Sequence, residues 1–173
     1  MYGGVMKMDT KADISIEMPY TLIDAVGNGG ERIILQLKSI TQGCSARNTG
    51  VTGDFELFYE CSGMHCSLEC DLTIGNLSYF EYDLDTAYDI NSCRNSTAVL
   101  ESYDASRTRL VFRFDEKARC YVSGNIRNKG DGYKSGISFD DVEIDTVNIS
   151  DILCRLKDFF NEVEKIQGNR NFY

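Results

Sequence analysis

The feature that most limits how this chain can fold is a change of hydrophobic period near its middle. Residues 54–61 read DFELFYEC, with Phe55, Leu57, Tyr59 and Cys61 at alternate positions. A Ser62-Gly63 turn separates them from HCSLECDL (65–72), where Cys66, Leu68, Cys70 and Leu72 alternate with His65, Ser67, Glu69 and Asp71. Period two buries every second residue, so the two runs read as an antiparallel hairpin with one solvated face. From residue 73 the period lengthens. Leu77, Phe80, Leu84 and Tyr88 step by three, four and four, which is one stripe of an amphipathic helix over 73–90 with Gly75 and Asn76 at its start. At about 100° per residue the opposite face carries Tyr79, Tyr82, Asp83, Thr86 and Asp89, with Glu81 and Asp85 at its margins.

The same test sorts the rest of the chain. DISIEM (13–18) alternates as a first strand, GNGG (27–30) breaks it, and RIILQLKSI (32–40) is a second, more fully apolar strand. QGCSARNTGVTG (42–53) reads as a flexible loop, and without Gly-Lys-Ser/Thr it is not a phosphate loop. Downstream, STAVLESY (96–103), TRLVFRF (108–114), ARCYVSGNIR (118–127) and YKSGISF (133–139) are strands. The turns DASR, DEK and NKGDG join them. Alternation slips between Phe139 and Val142, which places Asp140 and Asp141 at a bulge or bend. TVNISDILCRLKDFFNEVEKI (146–166) is a second amphipathic helix, its stripe running from Ile149 through Phe159 and Val163 to Ile166, capped by Asp145 or Asn148. The expectation is an α+β fold: an antiparallel meander of about seven to eight strands packed with one central and one C-terminal helix. It forms one domain over 1–173, with flexible termini at 1–12 and 167–173. A chain of this length can bury roughly 70% of its unfolded surface.

Charge is distributed unevenly. The net charge is −9, yet residues 1–53 balance five acids against five bases and residues 105–173 carry eleven against twelve. Residues 54–104 hold eleven acids and one base, Arg94. This argues against a nucleic-acid binder, which needs a basic surface. No run approaches the ~20 apolar residues of a membrane span, and the N-terminal stretch lacks the apolar region of a secretory signal. A cytoplasmic protein follows, in which an odd count of seven cysteines reads as thiols. The acidic stretch includes a helix that breaks two local rules. Asp85 and Asp89 lie in its C-terminal half, against the macrodipole, and no Lys or Arg occurs between 54 and 93 to form i, i+4 pairs. Two readings stay open. The segment is an interface for a basic partner, or Arg107, Arg109 and Arg113 fold back and pair with it.

Residue types that carry chemistry are sparse. Cys61, Cys66 and Cys70 flank the only histidine, His65. Along a strand, Cys66 and Cys70 stand about 13 Å apart, too far to be bridged by zinc–sulfur bonds of about 2.3 Å. His65 points to the other face. Cys61 can meet Cys66 across the hairpin, but two thiols alone do not hold a zinc ion. Asp83, Asp85 and Asp89 fail as a calcium loop, with Ala87 at the fifth position, Tyr88 in place of glycine and Arg94 in place of the closing Glu. Asp140, Asp141, Glu143 and Asp145 form the one carboxylate cluster suited to magnesium or glycoside chemistry, with a solvated bend and a helix cap as the plainer reading. Cys93 and Cys154 have no neighbouring histidine in sequence to activate them. No enzyme signature, metal site or cofactor site is expected.

Over residues 54–165 the order of elements resembles the WapI-like immunity proteins of bacterial contact-dependent and polymorphic toxin systems. The likeness lies in the strand pair DFELFYEC/HCSLECDLTI, then LSYF in place of the family's Leu-x-x-Phe. It continues through LESYDASRTRLVFRFDEKARCYVSGNIRN and ends at ISFDDVEIDTVNISDILCRLKDFF with the capping Asp145. The chain departs from the pattern in having no Trp, which such proteins often carry in the first of these strands. The resemblance implies a non-catalytic protein that binds and neutralises a cognate toxin domain, as a monomer or weak dimer without cofactor, nucleic acid or membrane. Complementary charge suits a basic, nuclease-type toxin, with Tyr79, Glu81, Tyr82, Asp83, Asp85 and Asp89 as the contact set. The alternative is an enzyme or ligand-binding domain using the carboxylates at 140–145.

Overall fold

The structure, a computed structural model, describes residues 16–42, 51–89 and 94–167. Eight antiparallel strands and two helices form an α+β fold in the order β1 (Tyr20–Val26), β2 (Arg32–Gln42), β3 (Val51–Cys61), β4 (Met64–Cys70), α1 (Ile74–Tyr88), β5 (Thr97–Glu101), β6 (Thr108–Phe114), β7 (Cys120–Arg127), β8 (Gly136–Ile144) and α2 (Thr146–Gln167). The strands make two four-stranded meanders, β1-β2-β3-β4 and β5-β6-β7-β8, rather than one sheet. The central helix lies between them in sequence and interrupts the succession of hairpins.

The first strand is not where alternation placed it. Of the stretch 13–18, residues 16–18 are described and form bends, and 13–15 lie outside the described residues. β1 is instead YTLIDAV, paired from Tyr20 opposite Leu37 to Val26 opposite Arg32. A register shift between Thr21 and Ile23 buries Leu22 and Ile23 side by side, which disguises the period. β3 begins at Val51, inside the stretch read as loop, whose residues 43–50 are outside the described part. Tyr133 to Ser135 belong to the turn that follows a short 3₁₀ segment at Lys129–Asp131, and β8 runs on to Ile144. β8 carries the expected bulge. Its pairing with β7 shifts between Val122 and Gly124, and Asp141 takes φ 51°. Gly124 is needed there, because a Cβ would strike the Phe139 ring.

One apolar core joins both sheets and both helices. The sheets meet directly where the Tyr59 ring of β3 stacks on Phe139 of β8 at 4.5 Å. They are tied again by a bridge between Gly27 and Ile144, beside which the Asn28 amide donates to the Glu143 carbonyl. Helix α1 lies on β5, with the Phe80 ring 5.3 Å from Phe112. Helix α2 lies along β1. The Val26 amide donates to Asn148 Oδ1, the Tyr20 hydroxyl donates to the Arg155 carbonyl, and the Tyr20 ring stacks on Phe159 at 6.0 Å. Asp145 caps α2, its Oδ1 accepting from the Val147 amide at 3.0 Å. No helix among the described residues is long and apolar enough to cross a membrane.

Candidate functional site

Helix α1 is defined at its start by a reciprocal cap two residues before the Gly75-Asn76 pair. Thr73 Oγ1 accepts from the Asn76 amide at 3.2 Å and Asn76 Oδ1 accepts from the Thr73 amide at 2.8 Å, a capping box with Asn in the third helical position. Ile74, Leu77, Phe80, Leu84 and Ala87 are buried. Burial of each large member stabilises the fold by about 1.5–3 kcal/mol and fixes which residues face out. At the other end the Ser96 hydroxyl donates to the Ala87 carbonyl at 2.9 Å. Asp89, predicted within the helix, is its C-cap in an extended conformation (φ −51°, ψ 123°).

The outward side of α1 has two parts. Glu81, Asp85 and Asp89 repeat every four residues and form a row of carboxylates. Local sequence supplies no cation for this row, but the fold does: Lys157 of α2 places Nζ 2.8 Å from Asp85 Oδ1. Asp85 and, more weakly, Glu81 raise the Lys157 pKa above its ordinary value. Glu81 is half-buried, and desolvation holds its carboxyl above the usual range despite the nearby ammonium. Tyr79, Tyr82 and Asp83 form the other part. The tyrosines are 63% and 70% exposed, and Asp83 is exposed with no ion-pair partner among the described residues. The structure thus keeps all six predicted contact residues on or beside one helix, which has no local basic partner but gains a distant one in Lys157. Lys157 was missed because it is 72 residues from Asp85 and nothing local marks it.

Outside α1, four acids of the middle segment pair with Lys or Arg. Arg107 bridges Asp71 at 3.0 Å and Asp104 at 3.1 Å, Arg109 reaches Glu101 at 3.2 Å, and Lys38 reaches Glu56 at 2.7 Å. Glu56 also accepts from the Ser67 hydroxyl. Arg107 and Arg109 thus fold back onto the acidic stretch as one of the two readings has it, while Arg113 pairs with Asp141 instead. Asp54, Glu60 and Glu69 on the first sheet and Asp83 on α1 have no Lys or Arg within ion-pair distance among the described residues.

The remaining candidates are kept apart. Asp141 bridges Arg113 at 2.9 Å across to β6, and Asp145 caps α2. The Glu143 backbone ties the sheets. Among the described residues no three His, Cys, Asp or Glu converge on a point that could hold a metal ion. Asp140 and Asp141 are exposed charged residues at the bulge of an edge strand. His65 is exposed, 3.5 Å from Glu60. Cys70 and Cys120 are buried thiols, pushed up to about 12 by desolvation. Cys61, Cys66 and Cys154 are free thiols with more exposure, and Cys93 lies outside the described residues. A groove of about 350 Å³ at the end of the β3–β4 hairpin away from its turn is lined by Asp54, Phe55, Glu69, Cys70 and Lys129. There Asp54 accepts from the Ser39 hydroxyl at 2.6 Å.

No protein-family model, curated protein or solved structure matches this chain.

Proposed function

We propose that this protein acts by stoichiometric binding, as an immunity protein that neutralises a basic, nuclease-type toxin domain through the outer side of α1. One observation carries the reading. Tyr79, Tyr82 and Asp83 are exposed beside a row of three carboxylates, on a helix with no basic residue of its own. Like charges at i, i+4 destabilise a free helix, and a cationic partner offsets that cost. Acids steer the encounter and fix its register. Tyrosines supply rigid contact area of the kind that dominates interface energetics. In this reading the chain works in the cytoplasm as a monomer or weak dimer and needs no cofactor.

The test is co-expression with the toxin domain encoded beside its gene, scored by growth and by association rate. Y79A/Y82A and D83K should fold normally and lose protection. E116K, on the exposed β6–β7 turn, changes net charge as much as D83K does and should keep it. Equal losses for D83K and E116K would mean that net charge matters and the α1 surface does not.

A further inference from the structure

The tip of the β3–β4 hairpin gathers sulfur. Cys61 lies directly opposite Met64 in the ladder and Tyr59 opposite Cys66. Facing residues and alternate residues share one side of a sheet, so Cys61, Met64 and Cys66 project together, away from His65 and Glu60. Facing Cβ atoms stand about 4.5–5.5 Å apart, and diagonal residues such as Cys61 and Cys66 about 7–8 Å, with their Cβ atoms somewhat closer. A thiol at each of two positions and a long thioether at the third can close on one point. The turn is rigid. Ser62 (φ 48°) and Gly63 (φ 81°) both take positive φ, as a two-residue hairpin turn requires. Cys61 and Cys66 are half-buried and Met64 is 69% exposed, so the sulfurs face an open end of the sheet. The Cys61 sulfur lies 3.7 Å from Ser62 Oγ.

We propose that this hairpin tip binds one monovalent soft cation, Cu(I), through the sulfurs of Cys61, Met64 and Cys66. The donor set selects the metal. Two thiolates and a thioether are soft ligands, suited to Cu(I) at low coordination number. A structural zinc site takes four ligands from Cys, His and carboxylate, and no three such residues converge among the described residues. Each thiol releases its proton as its Cu–S bond forms, the copper stays Cu(I), and no electron moves. The site is independent of the toxin-binding reading, because it lies at the β3–β4 turn and not on α1.

The test titrates reduced protein anaerobically with Cu(I) against the chromophoric chelator bicinchoninate. Wild type should withdraw one Cu(I) per chain, and so should C44S/C93S/C154S, which lacks three of the other thiols. C66S should lose the tight site. M64L should weaken it by at least the about 10–100-fold that disturbing even an outer-shell group costs a metal site. Met64 is exposed, so M64L tests the site even if C66S destabilises the sheet. Capacity lost in C44S/C93S/C154S but kept in C66S and M64L would overturn the proposal. So would zinc held as tightly as Cu(I), since that needs ligands this face does not carry.

Discussion

Replacing Lys157 by Met should move stability and partner association in opposite directions. Its ammonium sits 2.8 Å from Asp85, with both side chains about half exposed. Exposed ion pairs contribute about 0.2–1 kcal/mol. The like-charge repulsion between Glu81 and Asp85 is present with and without the cation and cancels in the difference. The change should therefore destabilise the protein by about 0.2–1 kcal/mol, read in urea as a lower midpoint at unchanged slope. Most of that loss should vanish in 1 M salt, where the Debye length is about 3 Å. Adding D85N should restore part of the loss, giving a coupling of about 0.5 kcal/mol in the double-mutant cycle. The variant presents a more negative surface, so its association with a basic toxin domain should be faster at low salt. A zero coupling would refute the electrostatic account of the ridge. Slower association by a folded K157M would place the docking surface elsewhere.

Four further outcomes follow from the same geometry. F80A removes a fully buried ring packed on Phe112 and should cost about 3–5 kcal/mol in chemical denaturation; a loss below 1 kcal/mol would contradict the placement of α1. Asp24 and Glu56 are held below their ordinary values, first by hydrogen bonds from Arg32 and Lys38. Their stabilisation is present above a pH of about 4 and lost below it, so D24N and E56Q should flatten the acid limb of the stability curve. Glu81 is raised, chiefly by desolvation, so its contribution holds at acid pH and disappears as pH rises through its folded pKa. E81Q should then be more stable than wild type near neutrality and equal to it below about pH 4; the opposite trend would show that Lys157 outweighs burial. Finally, D140N, D141N and H65A should each keep growth protection, because binding is spread over a surface, whereas turnover fails with one acid or base.

What was legible in the chain depended on how far each side chain's partner lies in sequence. The β3–β4 hairpin, both helical stripes and the Asp140–Asp141 bulge are set by neighbours within a turn or two, and local period revealed them. Local period misled at β1. The clean alternation of DISIEM does not form a strand over its described residues, while YTLIDAV, with two adjacent buried residues at a bulge, does. The choice is made by pairing with β2, which no N-terminal pattern contains. Division into two sheets was equally hidden, since every consecutive hairpin looks the same whether its strands join one sheet or two.

The same distance rule decides what the acidic segment means. Asp71 and Arg107 are 36 residues apart, and Asp85 and Lys157 are 72 apart; neither pair could be assigned before the fold was known. Once such pairs are placed, Glu56, Asp71, Glu101 and Asp104 are accounted for within the molecule. Tyr79, Tyr82 and Asp83 stay exposed. They lie on a helix whose inner side is fixed by Leu77, Phe80 and Leu84, so they cannot turn inward without losing several kcal/mol of burial. Lys157 pairs with Asp85, in the middle of the adjoining row. A helix positioned this firmly, with uncovered aromatics and unbalanced charge on its outer side, suits a partner that arrives carrying the opposite sign.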